Sequence, residues 1–321
     1  MPTEFALKLN AFGDAREPFF FAINFDQTHF IAEPLKELDK DILYFLEGTT
    51  NTTSAFTCKK PHISPKAWLD KHRYETAFEE VIEGIKSGDT YLLNLTFPTP
   101  ITLEGSFEDV FYASEAPFKC CIKEKFVCFS PERFVKIENN TIRTYPMKGT
   151  IDASIENAKE LILNDEKEMA EHVMVVDLLR NDLSMVSKKV RVEKFRYVEK
   201  FKAGEKELLQ VSSEIVGDLE ERWHENIGNI ISRLLPAGSI SGTPKRSSVE
   251  IIHRLEGYER GYFTGIFGVY DGTVLDSGVM IRFLEQTPQG VVFKSGGGIT
   301  LLSEMQKEYD ELCAKVYIPV H

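Results

Sequence analysis

Three strand patterns follow one another in the stretch Phe126-Val-Cys-Phe-Ser-Pro-Glu-Arg-Phe-Val-Lys-Ile-Glu-Asn-Asn-Thr-Ile-Arg-Thr-Tyr-Pro-Met-Lys-Gly-Thr150. Residues 126–129, 134–137 and 141–145 are rich in aromatic and β-branched side chains, which favour strands. The pair Asn139 and Asn140 is typical of a hairpin turn. This part of the chain therefore predicts antiparallel sheet.

The stretch ends around Lys148, which lies between Pro146-Met147 and Gly149-Thr150. Proline restricts the backbone before the lysine and glycine permits a tight turn after it, so the amine could be aimed at a site. A lysine at a strand end is otherwise a solvated surface charge. The segment alone leaves both interpretations open.

Strand patterns recur on both sides of this stretch, and helical patterns separate them. Strands are predicted at residues 19–24, 91–97, 190–195, 208–216, 263–270, 274–284 and 291–295. Helices are predicted at residues 74–86, 164–179, 226–234, 245–254 and from Glu304 onward, with Gly88 ending the first of them. Blocks of strands with helices between the blocks predict an α+β protein of stacked, mainly antiparallel sheets covered by helices.

Composition limits the possible partners. The chain has 321 residues, 42% apolar and 27% charged, with a formal net charge of −12. This balance is typical of a globular protein and argues against a nucleic-acid partner, which needs clustered cations. No stretch approaches the ~18 apolar residues of a membrane span. The five cysteines are odd in number and lack the spacing of a zinc site or a disulfide framework, so we expect a cytoplasmic protein.

Two acidic pairs suggest a metal site. Glu168 and Glu171 are three residues apart in a predicted helix, and Glu308 and Glu311 repeat that spacing in the last helix, for which Ser303 and Gln306 predict a capping box. If the pairs converged, their hard oxygen ligands would suit Mg²⁺. The alternative is two solvated helix faces.

Two glycine-containing segments and two cations also stand out. Residues 295–299, Ser-Gly-Gly-Gly-Ile, could form an anion-binding nest or a flexible turn. Residues 236–245 contain glycines and a lysine but lack the order of a phosphate loop, and Pro244 fits the first turn of a helix. Arg282 and Lys315 could each meet a carboxylate of the site or form a surface ion pair.

Together these segments resemble the chorismate-using enzymes, namely the first subunits of anthranilate synthase and aminodeoxychorismate synthase, with isochorismate and salicylate synthases as more distant members. The resemblance runs from about residue 90 to residue 315. It is carried by Ser130–Phe134, Pro146–Thr150, Lys167–His172 with Val176–Leu183, Gly238–Lys245, Gly296–Ile299, and Glu308 with Glu311 and Lys315. It implies a single domain over residues 1–321 with two stacked sheets, in which residues 1–89 form a shortened N-terminal part and residues 90–321 the motif-bearing core.

The resemblance also implies roles. Lys148 stands where aminodeoxychorismate synthases carry a lysine and anthranilate synthases usually alanine, so it would attack C2 of chorismate once its amine has lost a proton. Glu132 matches the general acid that protonates the departing C4 hydroxyl. Glu171 and Glu311 would lie nearest Mg²⁺, with Glu168 and Glu308 alongside through water. Substrate contacts are implied for Gly149, Thr150, Arg282, Gly296, Gly297, Gly298 and Lys315, the last also balancing the acidic cluster.

Three positions depart from the family pattern. Leu92 replaces the lysine base of water-using relatives and the glutamine of many ammonia-using ones, which speaks against isochorismate and salicylate synthesis. Asn229 falls near a histidine of anthranilate synthases. Val269 replaces a tyrosine that contacts substrate in many relatives, a role that Tyr270 could take over. The Leu-Leu-Glu-Ser segment of tryptophan-regulated relatives is absent from the sequence, so feedback by tryptophan is not expected.

The implied activity is therefore that of aminodeoxychorismate synthase component I, which makes 4-amino-4-deoxychorismate from chorismate and ammonia for para-aminobenzoate and folate. No segment carries the signature of a glutaminase, so ammonia from glutamine would require a separate amidotransferase subunit. Anthranilate synthase component I is one alternative. A non-catalytic chorismate-binding regulator is another, although such a protein needs neither Lys148 nor Glu132.

Overall fold

The structure is a computed structural model that describes residues 3–52, 56–203 and 206–320. Within these ranges the side chains of residues 167, 201–203 and 206 lie outside the description, so Lys167 of the helical motif is described by its backbone alone. The helices of the described residues are α1 Glu4–Asp14, α2 Lys71–Ser87, α3 Phe107–Ala113, α4 Ala158–Asn164, α5 Glu166–Ser184, α6 Ile227–Leu234, α7 Lys245–Glu256 and α8 Met305–Ala314. Short 3-10 turns occupy Leu35–Glu37, Trp223–Asn226 and Gly238–Ile240.

The strands of the described residues follow the same chain order. They are β1 Phe19–Ile23, β2 Phe30–Pro34, β3 Ile42–Leu46, β4 Thr49–Thr50, β5 His62–Pro65, β6 Leu92–Glu104, β7 Phe118–Ile122, β8 Phe126–Ser130, β9 Arg133–Glu138, β10 Thr141–Thr144, β11 Met147–Asp152, β12 Lys188–Ala203, β13 Lys206–Asp218, β14 Gly242–Thr243, β15 Ile266–Tyr270, β16 Leu275–Val279, β17 Phe283–Thr287 and β18 Gly290–Ile299.

These strands form two nine-stranded sheets. The first has the order β11-β13-β10-β9-β16-β15-β1-β2, with β12 added along β13. The second has the order β14-β6-β18-β17-β8-β7-β3-β4, with β5 added along β6. All pairings between these strands are antiparallel. The prediction of an α+β protein with two stacked antiparallel sheets is confirmed.

Alternating side chains of β8 explain why the sheets stack. Phe126 and Cys128 belong to an apolar cluster that also contains Phe267 of the first sheet. Val127 and Phe129 point to the opposite face and pack in a cluster with residues of α3. Since successive strand residues point to opposite faces, a strand buried on both faces needs an unbroken apolar run, which is the pattern seen in the sequence. The helices α1, α2, α6 and α7 pack in a third, larger cluster with strands of both sheets.

The predicted strand at residues 274–284 is wrong as a single element. Its first part is β16 of the first sheet and its end begins β17 of the second, so the chain passes from one sheet to the other between Val279 and Phe283. Arg282 lies in this connection with a left-handed φ of +52°. The break was not predictable because residues on both sides of it are apolar and buried.

Both predicted forms of the glycine segment are also wrong, because Gly296, Gly297 and Gly298 belong to β18 instead of a nest or a turn. They pair with Thr96, Leu95 and Asn94 of β6. Hydrogen bonding to a long neighbouring strand overrides the low strand propensity of glycine, since that propensity depends strongly on context.

The two acidic helices differ from expectation in their starts. The predicted capping box of Ser303 and Gln306 is wrong: Glu304 is the N-cap of α8 and makes no side-chain capping bond, while the Ser303 hydroxyl accepts from the Thr300 N–H at 3.2 Å. The helix α5 begins later and ends later than predicted, and its N-cap Asp165 accepts from the Glu168 N–H at 2.9 Å.

Among the described residues, no helix has both the length and the apolar character needed to cross a bilayer.

Candidate active site

One cleft of about 550 Å³ collects the residues for which the sequence predicted site roles. It is bordered by α5, β11, β18 and α8. Its lining includes all of them: Glu132, Lys148, Gly149, Thr150, Glu168, Glu171, Arg282, Gly296, Gly297, Gly298, Glu308, Glu311 and Lys315. Segments far apart in the sequence therefore meet at one place, and we treat this cleft as the candidate active site.

Lys148 lies in a β-bulge of β11. The register with β13 shifts between Met147 and Thr150, so an extra residue is accommodated where the lysine sits. A bulge bends the strand and redirects its side chains. Gly149 has φ +83°, and a Cβ at this position would lie 3.2 Å from Oε2 of Glu168. The glycine therefore both permits the bend and lets the strand approach α5 closely.

The amine of Lys148 is held by a carboxylate of α5. Its Nζ lies 2.7 Å from Oε2 of Glu171, which is itself only 8% exposed. Burial acts to lower the pKa of Lys148, but Glu171, with Glu168 and Glu311 beyond it, outweighs burial and holds the pKa above its ordinary value. The amine is thus protonated while it is paired with Glu171. It can become a nucleophile only when Glu171 is engaged elsewhere or a base removes the proton.

Glu132 lies in the turn between β8 and β9. Its Oε1 accepts a hydrogen bond from the Ser239 hydroxyl, and its backbone N–H donates to Oγ of Ser130 at 3.1 Å. Burial raises the pKa of Glu132, and the bond from Ser239 opposes this only in part. A carboxyl group that keeps its proton at higher pH than usual is suited to general-acid chemistry.

The carboxylates of α8 reach the glycine strand. A Cβ on Gly297 would lie 3.4 Å from Oε2 of Glu308 and 3.9 Å from Oε1 of Glu311. Lys315 Nζ lies 2.7 Å from Oε1 of Glu311 and donates to the Gly296 carbonyl at 2.7 Å. The lysine therefore neutralises part of the acidic cluster and ties the end of α8 to β18.

The same carboxylates are the candidates for holding Mg²⁺. In this arrangement no three histidine, cysteine, aspartate or glutamate side chains within residues 3–52, 56–203 and 206–320 are grouped closely enough to hold an ion. Glu171 and Glu311 each carry a lysine ammonium instead, from Lys148 and Lys315. The donor chemistry fits a hard cation, because four carboxylates from two helices border one cleft. An ion would have to displace the ammonium groups from these oxygens.

Arg282 contributes a positive charge to the lining of the cleft. Its guanidinium donates to the Tyr317 hydroxyl at 2.9 Å and lies 5.2 Å from the centre of that ring. Among the described residues it forms no ion pair with a carboxylate. An arginine held by an aromatic ring and not neutralised by an acid is suited to bind an anionic group of a ligand.

Sequence reasoning missed several residues of the cleft. Ser239, Asp182 and Lys294 line it, and Tyr317 holds Arg282 from beside it. Ser239 and Asp182 fall inside motifs that the sequence analysis identified, at residues 236–245 and 176–183. These motifs could have pointed to the two residues, although the sequence does not show their contacts.

The three departures from the family pattern lie outside the lining of this cleft. Leu92 is buried, and its Cδ1 would lie 3.6 Å from a Cβ on Gly298. Asn229 is on α6, where its side chain donates to Asn226 at 3.2 Å. Val269 is buried between the sheets. The idea that Tyr270 takes over a substrate contact is wrong, because its ring is fully buried and its hydroxyl donates to the Gly272 carbonyl at 2.6 Å.

Comparison with known proteins identifies the family. A model of chorismate binding enzymes matches residues 20–320, which is most of the chain. The chain belongs to this family of chorismate-binding enzymes. Within the family it is related to the first components of aminodeoxychorismate synthase and anthranilate synthase.

Three curated relatives illustrate this. A PabA-like protein of Pasteurella multocida is 48% identical over 318 residues, which cover 98% of both chains. Aminodeoxychorismate synthase component 1 of Escherichia coli is 32% identical over 264 residues, covering 77% of this chain and 57% of that protein. Anthranilate synthase component 1 of Saccharolobus solfataricus is 31% identical over 259 residues, covering 76% and 60%. Relatives with two different activities are thus about equally similar.

Solved structures share the fold. Anthranilate synthase component I of Streptococcus pneumoniae aligns with a TM-score of 0.65 at 26% identity, over 82% of this chain and 60% of that chain. MenF, the menaquinone-specific isochorismate synthase of Escherichia coli, aligns with a TM-score of 0.73 at 16% identity, over 96% and 79%. At that identity the second likeness concerns the fold alone.

Proposed function

We propose that this member of the family is an aminodeoxychorismate synthase component I. It would act in the cytoplasm and convert chorismate and ammonia to 4-amino-4-deoxychorismate, for para-aminobenzoate and folate. One observation carries the proposal: the amine of Lys148, aimed by a bulge, and the carboxyl of the half-buried Glu132 border the same cleft. A nucleophile and an acid in one cleft suit a displacement in which a hydroxyl group must leave.

In the proposed reaction the neutral amine of Lys148 attacks C2 of the ring, both conjugated ring double bonds shift, and the C4–O bond breaks. Glu132 gives its proton to the hydroxyl, which leaves as water. Ammonia then attacks C4, both ring double bonds shift back, and the C2–N bond to Lys148 breaks. A proton from the new ammonium group returns to Glu132, so that both residues are regenerated. Hydroxide is a poor leaving group, and a positioned acid typically contributes about 10²- to 10⁴-fold.

The other lining residues support binding of a dianion by an acidic protein. Glu171 and Glu311, with Glu168 and Glu308 through water, would hold Mg²⁺, which when bound would neutralise the charge of the ring carboxylate. Arg282 would bind the enolpyruvyl carboxylate. Gly149, Thr150 and the bare backbone of Gly296–Gly298 would contact the ring, and Lys315 would balance the remaining acidic charge. Ammonia would come from a glutamine amidotransferase subunit.

The test is to incubate the protein with chorismate, Mg²⁺ and ammonium and to identify the product by mass. We expect 4-amino-4-deoxychorismate, with no pyruvate released. Glutamine in place of ammonium should give no product in the absence of an amidotransferase. Formation of anthranilate and pyruvate would rule the proposal out in favour of anthranilate synthase. Chorismate that binds but is not consumed would favour a regulator.

A further inference from the structure

The 3-10 turn Gly238–Ile240 contacts the candidate acid Glu132 and is held in place by several hydrogen bonds. Ser239 at its centre donates to Oε1 of Glu132. The Ile240 carbonyl accepts from the buried guanidinium of Arg260 at 2.9 Å, and the Ser241 hydroxyl donates to the Ala237 carbonyl at 2.8 Å. The turn therefore has little freedom to move away from the acid.

An ion pair between buried Asp182 and half-buried Lys245 holds the other end of the turn. Asp182 of α5 is 6% exposed and accepts a hydrogen bond from the Gly238 N–H. Its Oδ2 lies 3.0 Å from Nζ of Lys245, which also donates to the Leu234 carbonyl at 2.7 Å. A Cβ on Gly238 would lie 2.8 Å from Oδ2 of Asp182, so only glycine allows this approach. Asp182 thus connects the helix that carries Glu168 and Glu171 to the turn that carries Ser239.

We propose that Ser239 is a positioning residue for the acid Glu132, and that Asp182 and Lys245 fix Ser239 in the place where it acts. The inference rests on the proposed role of Glu132. It assigns a use to two sequence motifs, residues 176–183 and 236–245, that the proposed function does not otherwise employ.

The chemical consequence concerns both protonation states of the acid. Because Oε1 accepts the bond from Ser239, the transferable proton of Glu132 is left on Oε2. When that proton passes to the leaving hydroxyl, a carboxylate forms on the half-buried Glu132, and an unpaired charge there would be disfavoured. The Ser239 hydroxyl donates to this carboxylate, and a hydrogen bond to a charged acceptor is stronger than one to a neutral acceptor. The bond therefore becomes stronger as the proton leaves.

The test is a double-mutant cycle on the rate of chorismate consumption. Ser239→Ala should lower kcat about 10- to 100-fold with little change in KM, as part of what a positioned acid contributes. Ser239→Thr, which keeps the hydroxyl, should restore most of the rate. In a Glu132→Gln background, Ser239→Ala should cost less than about twofold, because residues that act through one another are not additive. Ser247→Ala, at a half-buried serine of α7 outside the cleft lining, is the matched serine control.

Asp182→Ala should follow the same pattern, with a large loss in the native background and a small one with Glu132→Gln. If its melting temperature shows that this variant does not fold, Gly238→Ala replaces it, because the added methyl pushes against Asp182. Equal losses in both backgrounds would overturn the inference, since a purely structural role would lower the two rates by the same factor.

The cycle is independent of the product test. A product other than 4-amino-4-deoxychorismate with the coupling intact would overturn the proposed function and keep the positioning role. Formation of 4-amino-4-deoxychorismate with additive losses would support the proposed function and overturn the positioning role. Absence of chorismate consumption would overturn both.

Discussion

Nζ of Lys148 and Oε2 of Glu171 lie 2.7 Å apart, so the candidate nucleophile is ion-paired with a candidate metal ligand. The pair links strand β11 of the first sheet to α5. It also makes the charge of the amine dependent on what else Glu171 binds, because an ion pair of this kind favours the protonated lysine.

Competition for Glu171 predicts how Lys148 affects metal binding. Lys148→Met removes the ammonium group that an ion would have to displace, so we expect this variant to bind Mg²⁺ several-fold more tightly, as measured by calorimetric titration. Lys123→Met, which removes a half-buried ion pair with Glu108 outside the cleft lining, should leave the affinity unchanged. Equal or weaker binding by Lys148→Met would mean that Glu171 does not hold the ion.

Replacement of Lys148 predicts a separation of binding from chemistry. Lys148→Ala should abolish formation of 4-amino-4-deoxychorismate, with a loss of at least about 10³-fold, since the covalent route needs the amine. Chorismate should still bind, as measured by calorimetry in the presence of Mg²⁺. Lys148→Arg should also be inactive, because it keeps the charge without a nucleophilic amine. Activity equal to that of the native protein in either variant would rule out the covalent role.

The backbone at Gly149 predicts a site-specific effect of alanine. Gly149→Ala strains a residue with φ +83° and places a Cβ 3.2 Å from Oε2 of Glu168. Gly88 has the same φ of +83° but open space around it, so Gly88→Ala is a matched control for strain alone. Both variants should lose about 1 kcal/mol or more of stability in urea unfolding. Only Gly149→Ala should also lower kcat, at least tenfold. Similar kcat values for the two variants would show that the bulge does not set the position of Lys148.

The raised pKa of Glu132 predicts how stability depends on pH. Because burial holds its pKa above the value in the unfolded chain, the folded state favours the neutral carboxyl. The folding stability that the neutral carboxyl contributes is present at low pH and is lost as the pH rises through the folded pKa. Glu132→Gln keeps a neutral group, so the stability of the variant relative to the native protein should increase from pH 4.5 to pH 8, by about 1.4 kcal/mol for each unit of the shift. Urea unfolding at several pH values measures this.

Glu124→Gln is the control for that measurement, because Glu124 is exposed at the turn between β7 and β8. The change of relative stability with pH should be larger for Glu132→Gln than for Glu124→Gln. A relative stability of Glu132→Gln that stays flat or falls over the same range would contradict the protonated state proposed for the acid.

Much of the candidate site was predictable because its signals are local. The i,i+3 spacing of Glu168 with Glu171 and of Glu308 with Glu311 put each pair on one helical face, and both helices are present near the expected residues. The rigid and flexible neighbours of Lys148 indicated a redirected side chain, and the bulge of β11 provides it. The apolar run at residues 126–129 indicated a strand, which is β8.

What could not be predicted depends on partners far away in the sequence. Gly296–Gly298 have no side chains to favour a strand, and only pairing with β6 makes them one. The change of sheet between Val279 and Phe283 lies inside an apolar segment that both cores accept. No local sequence pattern predicts the contact of Ser239 with Glu132 or that of Asp182 with Lys245, because each joins segments that are distant in the chain.

The sequence by itself determined the α+β class, the family, and many of the residues that border the cleft, because composition, periodicity and motif order are properties of the chain. Only the tertiary structure decided which charges face each other. It pairs Lys148 with Glu171, Lys315 with Glu311 and Ser239 with Glu132. Charge state and hydrogen bonding depend on distance and burial, and these are fixed only when the two sheets and the helices α5 and α8 pack together.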